Sequence, residues 1–308
     1  MLSKEKFNQI TEYINHYGRE IEKAYLNYHF FNGNKADVIN ALSTFQNEDG
    51  GFGHGLEADS WNPNSSPLTT SVALAMLYSI QADKNTPIIQ NAIKFLGNYY
   101  FDSNTATWQT IISSNNDYPH APWWTYVEAG RNTWSFNPSI ELAALMFHFA
   151  SPEDQAYKNA DLSILKAKEY LNNPNNQLHD HFHEILNYLV AADILQDQQL
   201  LDDILPYIES TICKDFSLSL TQYVANPLTY LRFDYTKNTM HYLLPYYKMM
   251  KENAEVLIEV LPDNDVWGIT WTWGGNYPET FVKAESIWKA ISATKKLLQF
   301  KKLNLLPQ

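Results

Sequence analysis

The amino-acid sequence predicts an all-α protein whose helices form an α/α toroid, a barrel of helix hairpins with an inner and an outer layer. Three observations support this prediction. Apolar residues recur at helical spacing along most of the chain, half-apolar helices alternate with almost wholly apolar ones, and helix pairs return after about 50 residues. Because no linker rich in Gly, Ser or Pro interrupts this order, residues 1–308 are expected to form a single domain.

The first outer helices are predicted from amphipathic spacing. Apolar side chains recur every three or four residues in segments 7–14, 38–45 and 89–96. Segments 68–80 and 140–149 are instead apolar on almost every side, which is typical of helices buried on most faces. The alternation of the two kinds of helix indicates an outer and an inner layer.

Several helices are expected to begin where a capping side chain precedes a proline. The side chain accepts a hydrogen bond from a helical N–H that would otherwise lack a partner, and proline at the first helical position loses none. The pairs are Ser66–Pro67, Asn137–Pro138 and Asn226–Pro227 before inner helices, with Thr86–Pro87 and Ser151–Pro152 before outer ones.

The later segments continue this order with less regular spacing. Helices are expected at residues 181–195, 200–212, 255–260 and 279–298, with another from Pro227. Segment 266–273 alternates between apolar and polar residues and predicts a short strand or hairpin.

Charge and composition exclude two classes of partner. The chain has 22 basic residues and a net charge of −12, so nucleic acid and anionic membrane surfaces are not expected to bind it. No apolar run resembles a signal peptide or is long enough to span a membrane. The single cysteine, Cys213, allows no intrachain disulfide. These features predict a cytoplasmic protein.

Aromatic residues make up 14% of the chain, with 20 Tyr, 15 Phe and 9 Trp, which is more than folding requires. Some of these rings are expected to line a cavity that binds a small-molecule ligand. The sequence points to no cofactor, and it leaves the oligomeric state open.

Residues 42–53, Leu-Ser-Thr-Phe-Gln-Asn-Glu-Asp-Gly-Gly-Phe-Gly, resemble the Gln-to-aromatic repeat of the terpenoid cyclases and protein prenyltransferases, the α/α-toroid families that include squalene-hopene cyclases. Segment 67–77 is similar to their inner helix, and weaker similarities lie at Trp108-Gln109 and Trp267-Gly268. The resemblance implies the toroid fold and an isoprenoid-like ligand.

The family's catalytic motifs are not reproduced. Residues 263–266, Asp-Asn-Asp-Val, lack the last acid of the cyclase motif Asp-x-Asp-Asp, and Cys213 has no zinc-binding motif around it. The resemblance therefore assigns no catalytic residue to this chain, and whether the protein is an enzyme stays open.

The first candidate site follows the Gly-aromatic turn. Glu57 and Asp59 stand two residues apart in a loop before an inner helix, where paired carboxylates could divide acid and base roles. His54 and Trp61 flank them as candidate substrate-binding residues. The alternative is that the two acids balance the dipole of the following helix.

Two further turns carry candidate binding residues. The first is a long insertion with His120, Trp123, Trp124 and Glu128, which could equally be a hydrophobic plug. The second contains Trp271 and Trp273 as candidate ligand contacts, with Trp267 expected to be structural. In a closed toroid the turns of His54, His120 and Trp267 would converge on one face.

Two other features could contribute to a site. Glu141 lies near the start of an inner helix among apolar residues, where it could point into the cavity or complement the helix dipole. His179, His181 and His183 form a His-rich segment, but they lack the usual zinc-binding pattern, so no metal is expected.

These features allow three functions. The first is an enzyme or binding protein for an isoprenoid-like small molecule, with Glu57 or Asp59 as the acid. The second is a carbohydrate-active enzyme on an α/α barrel, because paired carboxylates and Trp platforms also suit glycosidic bonds. The third is a non-catalytic binding or scaffold protein.

Overall fold

The computed structural model describes residues 1–130, 133–176, 178 and 182–307. Over these residues the chain is mostly helical, which confirms the predicted all-α class. The α-helices are α1 Lys4–Tyr17, α2 Glu20–Phe30, α3 Lys35–Ser43, α4 Pro67–Ser79, α5 Pro87–Asn98, α6 Ser139–Phe149, α7 Gln155–Leu171, α8 Phe182–Leu195, α9 Gln198–Thr211, α10 Lys237–Tyr242, α11 Tyr247–Glu259 and α12 Pro278–Lys302. No helix of the described residues is long and apolar enough to cross a membrane.

The chain divides into two compact units. Unit 1 consists of Met1–Ala41 and Ile212–Gln308, and unit 2 of Leu42–Thr211. The expectation of a single domain over residues 1–308 stays a prediction.

Unit 2 is organised around α6. This helix packs against α4, α7 and α8, while α5 packs against α7 and α8 against α9. The predicted difference between helices is confirmed, because α6 is buried at most of its positions whereas α5 buries a stripe that includes Ile89, Ala92 and Leu96. A short hairpin of β1, Phe101–Asp102, and β2, Thr107–Trp108, follows α5.

At two of the five predicted starts the proline is the first residue of an α-helix. Helix α4 begins at Pro67 with the Ser66 hydroxyl accepting a hydrogen bond from the Thr69 N–H at 3.1 Å, and α5 begins at Pro87. At the third site Pro138 is itself the cap, because the Asn137 side chain instead accepts a hydrogen bond from Asn187 at 2.7 Å.

Of the other two predicted starts, one was wrong and one begins a shorter helix than expected. Helix α7 begins at Gln155, beyond Pro152. At Asn226–Pro227 the Asn226 side chain does cap a helix that begins at Pro227, but it is a 3-10 helix that ends at Tyr230, and no α-helix follows. The Gln299 side-chain amide explains the second case, since it donates to the carbonyls of Leu228 and Leu231 at 2.7 and 2.9 Å, which a continuing helix would use itself.

In unit 1 the 25-residue helix α12 packs against both α1 and α2. Helix α11 packs against the Pro227–Tyr230 turn and begins eight residues before the predicted position 255. The strand predicted at residues 266–273 does not form. Val266 and Trp267 are neighbours and both are buried, whereas a strand would point them to opposite faces.

Candidate functional site

The Gln46–Gly53 turn is held by hydrogen bonds, which agrees with the structural role predicted for it. The Gln46 side-chain amide donates to the carbonyls of Gly50 and Ile88 at 2.9 and 2.8 Å, and the backbones of Gln46 and Phe52 pair antiparallel. A Cβ at Gly53 would lie 2.2 Å from the Pro63 carbonyl oxygen, so only glycine allows the chain to pass here.

Polar side chains of the turn hold the end of the following loop. Asn47 donates to the Pro63 carbonyl and the Ser65 hydroxyl, each at 2.9 Å, and Ser65 donates to Asp49 at 2.6 Å. His54, exposed at the start of the loop, forms a hydrogen bond of 2.8 Å with Asn47. His54 therefore connects the start of the loop to the preceding turn.

The loop of residues 54–62 is unusual because residues 55–60 are all buried. Glu57 is 7% exposed and Asp59 is 3% exposed. The Glu57 carboxylate accepts a hydrogen bond of 3.0 Å from the Asp59 N–H, and the Trp61 indole closes the loop by donating to the Ala58 carbonyl at 3.0 Å. Both predicted carboxylates thus lie inside the protein on a tightly closed loop.

The structure brings this loop together with the 113–128 insertion. The Ala121 N–H donates to the Asp59 carbonyl at 2.8 Å, the Trp61 N–H donates to the Pro119 carbonyl at 2.9 Å, and Ser60 pairs antiparallel with His120. The predicted convergence of the His54 and His120 turns is confirmed. The convergence of both with the Trp267 turn stays a prediction.

His120 is buried, and its ring forms hydrogen bonds with two other residues of the insertion. One ring nitrogen, Nδ1, lies 2.7 Å from the Tyr118 carbonyl oxygen, and Nε2 lies 3.0 Å from the Thr125 hydroxyl. A carbonyl only accepts, so Nδ1 carries a proton and donates it to Tyr118. Both ring nitrogens are engaged within the insertion, which makes His120 a positioning residue for it.

A network of asparagine amides was missed from the sequence. The Asn62 side chain donates to the Ser114 hydroxyl and to Asn115 Oδ1 at 2.8 and 2.9 Å, and the Asn115 amide donates to the Trp124 carbonyl at 3.0 Å. Asn116 exchanges two hydrogen bonds with the Tyr126 backbone. Side-chain amides in irregular segments often replace backbone partners, so the Asn115-Asn116 pair was the available signal.

The insertion presents two half-buried indole rings beside the loop of residues 54–62. Trp123 and Trp124 follow Pro122 in a 3-10 turn. Trp124 Nε1 is buried and has no hydrogen-bond partner among the described residues. Glu128 is exposed, so of the predicted residues in this insertion it lies farthest toward solvent. The indole rings of Trp123 and Trp124 and the carboxylates of Glu57 and Asp59 therefore lie on two loops that are hydrogen-bonded to each other.

Two of the other tryptophans are structural. Trp108 is fully buried and donates to the Leu96 carbonyl at 2.9 Å. In unit 1, Trp267 donates to the Leu257 carbonyl at 2.7 Å and packs edge-on against Phe300. Each indole is bonded to the helix that precedes it, α5 or α11, which agrees with the structural role expected for Trp267.

The candidate ligand contacts of unit 1 differ in their access to solvent. Trp271 is half-buried and forms edge-to-face contacts with Tyr223 and Trp288. Trp273 is 1% exposed and packs against Phe281. Trp271 can therefore meet a ligand, whereas the position of Trp273 is that of a core residue.

The remaining candidates lie in α6 and α8. Glu141 is half-buried in the first turn of α6, where its charge suits the helix dipole. Glu184, which the sequence did not single out, is buried and accepts a hydrogen bond of 3.1 Å from the Phe136 N–H.

His183 is exposed, while His179 and His181 lie outside the described residues. The described part of the chain contains no cluster of three or more potential metal ligands.

Comparison with protein-family models, with curated proteins and with solved structures gives no match for this chain.

Proposed function

We propose that this chain is an α/α-toroid protein that binds and transforms a neutral, isoprenoid-like small molecule at the paired loops of residues 54–62 and 113–128. The observation that carries this proposal is the burial of Glu57 and Asp59 on a loop that also bears Trp61 and is hydrogen-bonded to the insertion that bears Trp123 and Trp124. Protonation of a carbon–carbon double bond requires an acid whose proton reaches the substrate and not bulk water. The closed loop of unit 2 provides carboxyl groups in such surroundings.

The aromatic side chains supply the second requirement of this chemistry. Protonation of an alkene produces a carbocation, and the face of an indole ring attracts a cation. Trp61, Trp123 and Trp124 are half-buried on the two loops. Their rings therefore suit both the apolar chain of the substrate and the positive charge that forms on it.

Charge favours a neutral substrate over a prenyl diphosphate. Apart from His54 and His120, residues 54–62 and 113–131 contain four acidic residues and one basic residue, Arg131, which lies outside the described part. A diphosphate is usually bound by several basic side chains or a metal ion. We therefore favour polyprenyl alcohols or hydrocarbons as substrates.

The toroid arrangement is supported by the repeated role of the Gly-aromatic and Trp turns. Gln46 with Phe52, Trp108 and Trp267 each follow an outer helix, and both indoles bond to the carbonyl of a residue in that helix. A repeat of this kind is typical of helix-pair arrays in which each turn stacks on the helix before it.

A carbohydrate-active enzyme is the second candidate, and the asparagine network favours it. Asn62, Ser114 and Asn115 form a network of amide and hydroxyl groups that reaches the backbone carbonyl of Trp124 in the insertion. Hydrogen-bonding groups next to Trp faces suit a sugar ring better than a hydrocarbon.

The deciding experiment offers farnesol, geranylgeraniol and squalene in one arm and a panel of oligosaccharides in the other, with product analysis by mass spectrometry. Asp59→Asn and Glu57→Gln keep the shape of each side chain and remove its acidity. One of these two carboxyl groups is expected to be the proton donor. We expect isoprenoid conversion to fall by roughly 10²–10⁴-fold in the variant that lacks this donor, while binding is retained. Asp117→Asn, at an exposed acid of the insertion that is not among the candidate binding residues, is the control and should retain full activity.

Hydrolysis of a glycan would replace the proposal with the carbohydrate candidate. Absence of binding and of product in both arms would leave the scaffold function. Circular dichroism of each variant separates lost activity from lost folding.

A further inference from the structure

A cavity of about 490 Å³ lies along one face of α1 in unit 1. Most of its lining comes from α1, and Asn264 of the loop after α11 completes it. The Gln9 side-chain amide holds this loop against the helix by donating to the carbonyls of Pro262 and Asp265 at 2.7 and 2.6 Å. The cavity is therefore formed by a helix and a loop that are hydrogen-bonded to each other.

Two carboxylates line the cavity without a counter-charge. Among the described residues, neither the Glu5 nor the Glu12 carboxylate forms an ion pair or a hydrogen bond. Two lysines that contact the same part of unit 1 are engaged elsewhere. Lys6 donates to the Ile258 carbonyl at 2.6 Å, and Lys289 pairs with Asp265 at 2.6 Å. The cavity therefore attracts a cation that the protein itself does not supply.

The spacing of the two carboxylates favours an extended organic cation over a metal ion. Glu5 and Glu12 are seven positions apart, which is about 10.5 Å along the helix axis. A single metal ion needs its oxygen ligands within about 2–3 Å of itself. The described residues contain no cluster of three or more potential metal ligands. A flexible chain with an ammonium group at each end can instead meet both carboxylates.

The middle of the cavity suits a further ammonium group. Asn8 and Gln9 line it and lie three and four positions beyond Glu5, about 5–6 Å along the helix. Among the described residues, neither side-chain oxygen accepts a hydrogen bond, because the Gln9 amide holds the loop through its nitrogen. An amide oxygen accepts a hydrogen bond from an ammonium group. Acceptors thus stand at both ends and in the middle of the cavity.

An aromatic pair lies beside Glu12. The rings of Tyr13 and Tyr17 are 4.6 Å apart, and Lys289 Nζ lies 5.0 Å from the centre of the Tyr13 ring. Tyr13 therefore already holds an ammonium group of the chain itself. Tyr17 also lines the cavity, is 51% exposed, and has no cation over its ring among the described residues. Its ring is available to an ammonium group of a ligand.

We propose that the α1 cavity binds a linear polyamine, a chain of methylene groups with an ammonium group at each end and one between them. One end pairs with Glu5, the other pairs with Glu12 beside the Tyr17 ring, and the inner group meets Asn8 and Gln9. A triamine with nine bonds between its end nitrogens spans about 11 Å when extended, and its inner nitrogen lies about 5–6 Å from either end. This site lies in unit 1 and does not depend on the function proposed for the loops of unit 2.

The test titrates the whole protein with spermidine by isothermal calorimetry at low salt, where exposed charges are least screened. We expect Glu5→Gln and Glu12→Gln each to weaken binding about three- to fivefold. The double variant should weaken it by about the product of the two factors, because each carboxylate meets a different ammonium group. Glu209→Gln is the matched control, since it removes the same charge at an exposed position of α9 and should leave the affinity unchanged.

Ligand length provides a second arm. A diamine with eight methylene groups places its nitrogens as far apart as the ends of spermidine, about 11 Å, whereas a diamine with three methylene groups spans only about 5 Å. Octylamine has the same eight-carbon chain with one ammonium group. We expect the long diamine to bind at least about fivefold more tightly than either of the other two.

The aromatic contact is tested at Tyr17, which is exposed enough to be replaced without disturbing the core. Tyr17→Ala should weaken spermidine binding about threefold, whereas Tyr17→Phe keeps the ring and should restore the affinity of the natural chain. Circular dichroism of each variant confirms that the fold is retained.

Four results would overturn the proposal. The first is no binding of spermidine. The second is equal affinity in Glu5→Gln, Glu12→Gln and Glu209→Gln, which would show that only the net charge of −12 attracts polyamines. The third is equal affinity for octylamine and the long diamine, which would assign the binding to apolar contact. The fourth is a lysine-rich peptide that binds more than about tenfold more tightly than spermidine, which would assign the cavity to a basic protein segment.

Discussion

His29 shows how one side chain links burial to stability. Its ring packs edge-on against Tyr25 and Phe233, and its Nε2 atom is buried without a hydrogen-bond partner among the described residues. Burial lowers the pKa of His29 to about 4, Lys301 adds to the shift, and Asp234 opposes it. The folded protein therefore keeps this ring neutral where an unfolded chain would charge it.

The sign of the pH dependence follows from this shift. Between the unfolded pKa near 6.5 and the folded pKa near 4, only the unfolded chain gains the proton, so stability falls as the pH falls through this window. We expect a loss of about 1–2 kcal/mol, reduced from the full value because the ring is partly exposed. Urea unfolding at pH 7 and pH 4.5 measures it.

His29→Phe keeps a ring at this position and removes the titration, so it should lose less stability on acidification than the natural chain does. His16→Phe, at an exposed position of α1, is the control. Equal acid sensitivity in His29→Phe and the natural chain would contradict the assignment.

At the scale of elements, the Gln46–Gly53 turn, which follows α3, is tied to the start of α5. The Gln46 amide closes the turn on itself through the Gly50 carbonyl and also reaches the Ile88 carbonyl of α5. The sequence alone predicts a structural turn here, because the Gln-to-aromatic pattern is local. Its partner at Ile88 lies 42 positions along the chain and was not predictable.

Gln46→Ala removes both hydrogen bonds and should lower the free energy of unfolding by about 1–3 kcal/mol. Gln90→Ala is the matched control, since that amide makes one exposed hydrogen bond, to the Lys84 carbonyl. Chemical denaturation should show a loss of under about 0.5 kcal/mol for the control. Equal losses in both variants would show that the turn is not the tie that its geometry indicates.

The helices themselves follow from the sequence more closely than their connections do. Periodicity placed α4, α5, α6 and α8 within a residue or two, because the pattern of buried side chains repeats inside each helix. It failed after Pro227, where Gln299 takes the backbone carbonyls, and at residues 266–273. Both failures depend on contacts with distant residues, which a local pattern does not contain.

At the scale of the whole molecule, thermal unfolding distinguishes a single domain from two compact units that unfold separately. A single cooperative domain unfolds in one transition whose calorimetric and van't Hoff enthalpies agree. We expect this result from scanning calorimetry. A destabilising change confined to unit 2 then tests whether the transition belongs to the whole chain.

Gly53→Ala is suitable, because the added Cβ would lie 2.2 Å from a backbone oxygen. A loss of about 2 kcal/mol should lower the Tm of the whole transition by roughly 3 °C, because the unfolding entropy of a 308-residue cooperative unit is large. A thermogram that splits, with one component unmoved, would instead assign the two units to separate domains. Lys295→Arg, at an exposed position of unit 1, should leave the Tm unchanged.

The sequence by itself determined the all-α class, most helix positions, the structural role of the Gln46–Gly53 turn and the acidic charge. These properties depend on residue type and spacing along a short stretch of chain. The tertiary structure decided which polar groups are buried and what each one meets. Glu57 and Asp59 became inner groups through the insertion that pairs with their loop. Lys289 and Lys296, alike in sequence, came to differ because one faces a carboxylate and the other an indole. Desolvation and pairing depend on atoms far apart in the chain, so only the folded molecule sets them.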